Sequence, residues 1–280
     1  MWLALLHASI PVALLVHGEP RFFALWAGLH GFYYFGMAVV LHRYLSHRSF
    51  AVSRPVQVAL MLWACTCGQR SPLWWAATHR RHHRNCDSET DPHSPVNGRG
   101  RLAGLARAHV GWLFERQSYP LHWDAVRDFT RYPEMVALNN YYFAVTLVPI
   151  GIAWAAMGGG GAVWAVVAMC TSFHCTALVN SIDHVFGAKP FEADGTRDCN
   201  ARNCVWSFPL QPGENWHNNH HVAPSAASVQ FRWWQLDPPY YVIRALELLG
   251  LARDVRRADP RRLAEREADR RRAIAAEQEA

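Results

Sequence analysis

Apolar and polar positions fall in blocks along these 280 residues rather than interleaving evenly. Three apolar runs, 22–40, 138–157 and 162–182, meet or approach the length of about 20 residues that a membrane-crossing helix needs. A fourth, 2–16, reaches roughly 24 Å at about 1.5 Å per residue. It lacks the basic start and small-residue cleavage site of a signal peptide, and reads as a short first span that turns at "HGEPR" (17–21). The last two runs are separated by "GGGG" (158–161), a turn between antiparallel helices, because glycine lets the backbone reverse without steric cost. The stretch 56–67 is too short to cross and reads as a buried or interface-lying helix. The pattern predicts an all-α membrane protein with four transmembrane helices at about 1–16, 22–40, 138–157 and 162–182.

Charge sharpens this picture. Of the 28 Lys and Arg, 13 lie in 42–136 and 14 in 184–280, leaving Arg21 alone elsewhere. Such segregation suits a membrane protein with extramembrane parts and excludes a nucleic-acid binder. With four spans, the insertion 42–136 and the segment after 183 emerge on one side, and that side carries the basic residues. It is therefore expected to be the cytoplasm, with both termini there. Three regions follow: a membrane part over 1–183, a cytosolic cap over 184–252, and a charged, helix-prone tail over 253–280. Glu267 and Arg271 form a favourable i, i+4 pair in that tail. The seven cysteines show no paired CxxC spacing and are expected to stay reduced as packing residues.

Histidine supplies the chemistry. Of 16 histidines, nine fall in "HRYLSH" (His42, His47), "HRRHH" (His79, His82, His83), "NSIDH" (His184) and "NWHNNHH" (His217, His220, His221). Positions i, i+3 and i+4 share a helix face, so each HxxHH cluster can aim three imidazoles at a common space. His42 and His47, five apart, do not share a face unless the helix ends near them. Asn180 precedes His184 by four and points from the same edge. Nine neutral imidazoles exceed the ligand number of one ion and suit two. Ligand type alone leaves iron, copper, zinc and nickel open. The other seven histidines, including His7, His30, His93 and His174, read as packing residues.

The three boxes, in this order and at these distances from the spans, resemble the membrane fatty acid desaturases, closest to the acyl-CoA Δ9 (stearoyl-CoA-type) branch. "HRYLSHRSF", "HRRHHRNCDSETDPH", "HVGWLF", "NSIDH" and "GENWHNNHH" follow that family's order from about residue 22 to 241. The resemblance implies two iron ions held by the nine histidines, with Asn180 reaching one iron through water. It implies O2-dependent insertion of a cis double bond into a saturated acyl chain, in a tunnel kinked by Gln69, Trp75 and Thr176. His30 and Tyr34, on the i±4 ridge leading to His42, lie where the family closes that tunnel. Each ligand must be neutral, so Asp87, Glu89, Asp91, Asp183 and Glu214 are candidates to hold the outer ring nitrogens. An Arg-Asp pair that meets CoA in the family is here Ala77 and Thr78, and a later Arg-Lys pair is Arg116 and Gln117. The headgroup is thus left open among CoA, lipid and carrier protein.

The chain shows no haem motif, so electrons are expected from a separate donor, a cytochrome b5, ferredoxin or similar reductase system. A di-iron hydroxylase of acyl chains or lipids would share the metal site and stands as the alternative. A histidine-rich metal transporter is the distant one, since it would need its polar ligands inside the spans.

Overall fold

The apolar blocks form helices. The computed structural model describes residues 2–96, 100–191 and 199–259, with scattered positions beyond; the Glu267–Arg271 pair lies outside the described residues. The chain divides into two units. One comprises Met1–Ser46, Val52–Arg80 and Arg116–Ala177; the other comprises His47–Ala51, Arg81–Glu115 and Leu178–Ala280.

In the first unit, α1 (Trp2–Val16) precedes α2 (Pro20–Phe35), which starts on a proline whose missing N–H costs nothing at that position. From Gly36 to Ser46 the same helix widens into eleven residues of π-helix, every one buried. Glycine is required at the transition: a Cβ at Gly36 would meet Cys67 Sγ at 2.6 Å and Trp63 Nε1 at 2.7 Å. The indole of Trp63 takes up the Phe32 carbonyl there, at 2.9 Å. The i→i+5 bonding breaks the i±4 ridge that the sequence draws from His30 through Tyr34 to His42. His30 and Tyr34 do stack with each other, 6.4 Å between ring centroids.

The short apolar stretch becomes α3 (Arg54–Thr66), packed on the π-helical segment. Next comes α4 (Pro72–Asn85). Its Arg80 donates to the carbonyls of Leu45, Ser46 and Ala125, and pairs with both oxygens of Asp128 at 2.8 and 3.0 Å. One guanidinium thereby satisfies carbonyls that the end of the π-helix leaves open.

The longest helical stretch, Tyr142–Ser181, contains a break at Gly158, whose φ of 67° belongs to the left-handed region. Thr146 Oγ1 donates to the Cys65 carbonyl at 2.6 Å, while Met169 lies against Gly68. Both arms thus return to the same neighbourhood, and the stretch is a hairpin of two helices. The sequence assigns the turn to all four glycines. Only Gly158 leaves helical geometry, and 159–161 already belong to the second arm.

Among the described residues, two helices are long and apolar enough to cross a membrane: Pro20–Ser46 with 27 residues and Tyr142–His184 with 43. The first predicted span falls short of that length as Leu3–Val16, and the last two are joined in one element.

The second unit is looser in secondary structure and rich in polar contacts. Helix α5 (Arg101–His109) carries Arg107, which pairs with both Glu115 oxygens at 2.7 and 2.8 Å and donates to the Pro92 and Ser94 carbonyls. This ties down the loop after α4. The helix His217–Val222 is only six residues long, and Pro238–Leu248 is capped by Asp237. Cys86 and Cys199 form a disulfide, 113 residues apart in sequence. That corrects the expectation of seven reduced cysteines; sequence spacing could not reveal a pairing made by two distant loops.

Candidate metal centre

Within the second unit, His82, His184, His217 and His221 converge, all buried, with their ligand atoms within 4.8 Å of one another. The Nε2 atoms of His184 and His217 are 3.0 Å apart, those of His217 and His221 3.0 Å, and those of His82 and His221 3.3 Å. Two of the outer nitrogens are held from behind by carboxylates. His82 Nδ1 lies 2.9 and 3.1 Å from the Asp91 carboxylate, and His184 Nδ1 lies 3.0 Å from Asp87 Oδ2. An Nδ1–H committed to a carboxylate leaves the Nε2 lone pair pointing inward, the arrangement metal-binding histidines adopt. His221 Nδ1 lies 3.2 Å from Cys199 Sγ.

The two carboxylates are themselves fixed. Asp91 accepts the backbone N–H of Asp87 at 2.7 Å and of His93 at 3.0 Å. Asp87 accepts from Asn200 N and Ser94 Oγ, each at 2.7 Å. Burial alone would raise the Asp87 carboxyl, but His184 and these donors hold it at about 2. Asp91 is depressed further: burial opposes its charge, and the neighbouring His82 and His93 overcome it. His221 shifts the other way. Burial, then the crowd of imidazoles around it, pushes it well below the ordinary histidine value, so it is neutral as a ligand must be.

A second group stands in the same unit. His47, His83 and His220 have ring centroids 4.6–4.7 Å apart, and the Nε2 atoms of His83 and His220 are 2.8 Å apart. In the first unit, His42 and His79 meet edge to face at 4.7 Å, and Trp75 stacks on His79 at 5.0 Å. His79 and His83 lie one turn apart on α4. The chain leaves the π-helix at Ser46, immediately before His47.

The asparagines between the histidines have a structural task that the sequence did not reveal. Asn203 Oδ1 accepts the backbone N–H of Asn218 at 3.0 Å and of Asn219 at 3.2 Å, capping the short helix from outside. Asn218 Nδ2 donates to the Ala201 and Phe191 carbonyls, and Asn219 Nδ2 to the Val229 carbonyl. Six residues make a poor helix alone, so these bonds fix where the three imidazoles point.

Of the five acidic candidates, Asp87 and Asp91 hold box histidines, His184 and His82. Asp183 accepts from Gln211 at 2.6 Å and from Ser207, while Glu89 is exposed and Glu214 is buried. Gln69 Nε2 donates to Thr176 Oγ1 at 2.9 Å. Asn180 lies in the last helical turn, four residues before His184. Arg116 is exposed at the start of a short 3-10 turn. His93, read from the sequence as packing, stacks on His82 at 4.4 Å and is pushed to about 3 by burial. Its place at the end of "SETDPH" was the only signal.

The sequence profile of the fatty acid desaturase family matches residues 20–253. The hex-5-enoyl-[acyl-carrier protein] acetylenase of Moorena producens (strain JHB) is 35% identical over 239 residues, covering 79% of this chain and 72% of that protein. The sn-1 stearoyl-lipid 9-desaturase of Anabaena variabilis is 34% identical over 229 residues, covering 80% and 79%. The acyl-CoA C20 Delta5-desaturase of Anemone leveillei is 32% identical over 230 residues, covering 79% and 69%.

Proposed function

The chain belongs to the fatty acid desaturase family, and from that premise we propose that it is an O2-dependent di-iron enzyme that inserts a cis double bond, at the Δ9 position, into a saturated fatty acyl chain. The observation carrying this reading is the buried convergence of His82, His184, His217 and His221 with Asp87 and Asp91 behind them. The donor set fits iron: four buried imidazoles, two of them, His82 and His184, held from behind by carboxylates. These four hold one ion. The other box histidines, His42, His47, His79, His83 and His220, are read as iron ligands from their sequence pattern, with Asn180 acting through water. Bound iron supplies the oxidising power needed at an unactivated methylene, which no side chain can provide.

The chain's own residues supply placement. Gln69 and Thr176, joined by their hydrogen bond, and Trp75, stacked on His79, form the kink that brings one methylene pair to the metals. Tyr34 and His30 line the closed end of the acyl tunnel. Ala77 and Thr78 offer no charge for a CoA headgroup, so the substrate is carried by a lipid or by acyl carrier protein, with Arg116 at the headgroup side. Electrons arrive from a separate cytochrome b5, ferredoxin or similar protein. The membrane part has four spans, α1, the α2 helix and the two arms of the Tyr142–Ser181 hairpin, with termini and metal site on the basic, cytoplasmic side.

The test is turnover by the purified, iron-loaded protein with a reductase system, offered stearoyl groups on galactolipid, on carrier protein and on CoA. An oleoyl product from the lipid or carrier substrate, with CoA slower by tenfold or more, supports the reading. CoA as the preferred carrier would contradict the headgroup assignment.

A further inference from the structure

One histidine pair outside the boxes repeats the geometry of the metal centre. His7 Nε2 of α1 and His174 Nε2 of the hairpin's second arm are 2.9 Å apart, as close as the box histidines are to one another. The His7 ring is oriented from behind: its Nδ1 donates to the Leu3 carbonyl at 2.7 Å, which leaves the Nε2 lone pair facing His174. Cys170, one helical turn before His174 and fully buried, brings a sulfur to the same point. The three ligand atoms lie within 4.8 Å of one another. Trigonal coordination at about 2.0 Å per nitrogen asks for nitrogens about 3.5 Å apart, so small side-chain rotations suffice.

From this we propose that His7, Cys170 and His174 form a copper(I) site, separate from the di-iron centre. Thiolate with imidazole selects a soft or borderline cation. Charge then chooses between candidates. The surroundings are apolar, with Leu6, Tyr33, Ala168 and Met169 packed together beside Cys170 and with Leu3 and Ile10 against them. A monovalent ion on one thiolate and two neutral imidazoles leaves no net charge, whereas a divalent ion leaves one positive charge in a medium that penalises it heavily. Binding exchanges one cation for one proton: copper(I) bonds to Cys170 Sγ, the thiol proton leaves to solvent, and His174 carries its ring proton on Nδ1 rather than Nε2.

The experiment is an anaerobic titration of the full chain in nanodiscs with copper(I), against a chromophoric copper(I) chelator, followed by copper X-ray absorption. The wild type is expected to retain one copper per chain with one sulfur neighbour. Cys170→Ser should lose the sulfur neighbour, and His7→Ala should weaken retention by tenfold or more. His217→Ala, which alters only the di-iron centre, should keep both. Circular dichroism establishes that each variant is folded, and His7→Ala, at an exposed position, serves if Cys170→Ser is not. A wild type that yields its copper as readily as His7→Ala, or a sulfur neighbour that survives in Cys170→Ser, overturns the proposal.

Discussion

His184 and Asp87 are 97 residues apart in sequence, yet Nδ1 of the imidazole lies 3.0 Å from Oδ2 of the carboxylate. That contact fixes the tautomer of a box histidine just beyond the long hairpin, using a loop that follows α4. Asp87 itself has a φ of 58°, a left-handed conformation that Asn tolerates and Ala does not. Asp87→Asn therefore removes the charge while keeping the backbone. Loss of such an outer partner costs about 10- to 100-fold in metal affinity. Iron retention against a chelator should fall by that amount; wild-type retention would show that Asp87 does not support the ligand.

The cap on His217–Val222 gives a stability prediction. Asn203→Ala leaves the backbone N–H groups of Asn218 and Asn219 without their acceptor in a buried site. At about 1–3 kcal/mol for each orphaned group, the variant should lose on the order of 3 kcal/mol and melt several degrees lower. Asn203→Asp keeps an acceptor oxygen and should cost less. Equal melting of Asn203→Ala and wild type would contradict this role.

Thr176 offers a separation of chemistry from metal binding. Thr176→Val keeps the shape and removes the oxygen that Gln69 donates to. The expected result is an unchanged iron content with products whose double bonds are spread over neighbouring positions, read by mass spectrometry. A single unshifted product would remove Gln69 and Thr176 from the kink.

What the sequence made legible was the part governed by local periodicity. Spacings of three and four placed His82 and His83 on a single helix, but the common space expected of each HxxHH cluster is not what forms: His82 joins His217 and His221, whereas His83 meets His220. Apolar length located the helices around 22–40 and 138–182. The π-helical segment was not legible, because its cause is tertiary: Gly36 must lie against Trp63 and Cys67, residues about thirty positions away. The Cys86–Cys199 bridge and the Asn203 cap escaped for the same reason, each being made by loops distant in sequence. Asp183 adjoins His184 in sequence, but its carboxylate accepts from Gln211 and Ser207, because neighbouring side chains at the end of a helix point in different directions.

The most direct test of the central claim is the fatty-acid profile of a desaturase-deficient host expressing this chain, with His217→Ala alongside. A Δ9 monounsaturated acid that appears with the wild type and vanishes with His217→Ala is the expected result. A hydroxy acid that depends on His217, or a monounsaturated acid that persists without it, would contradict the account.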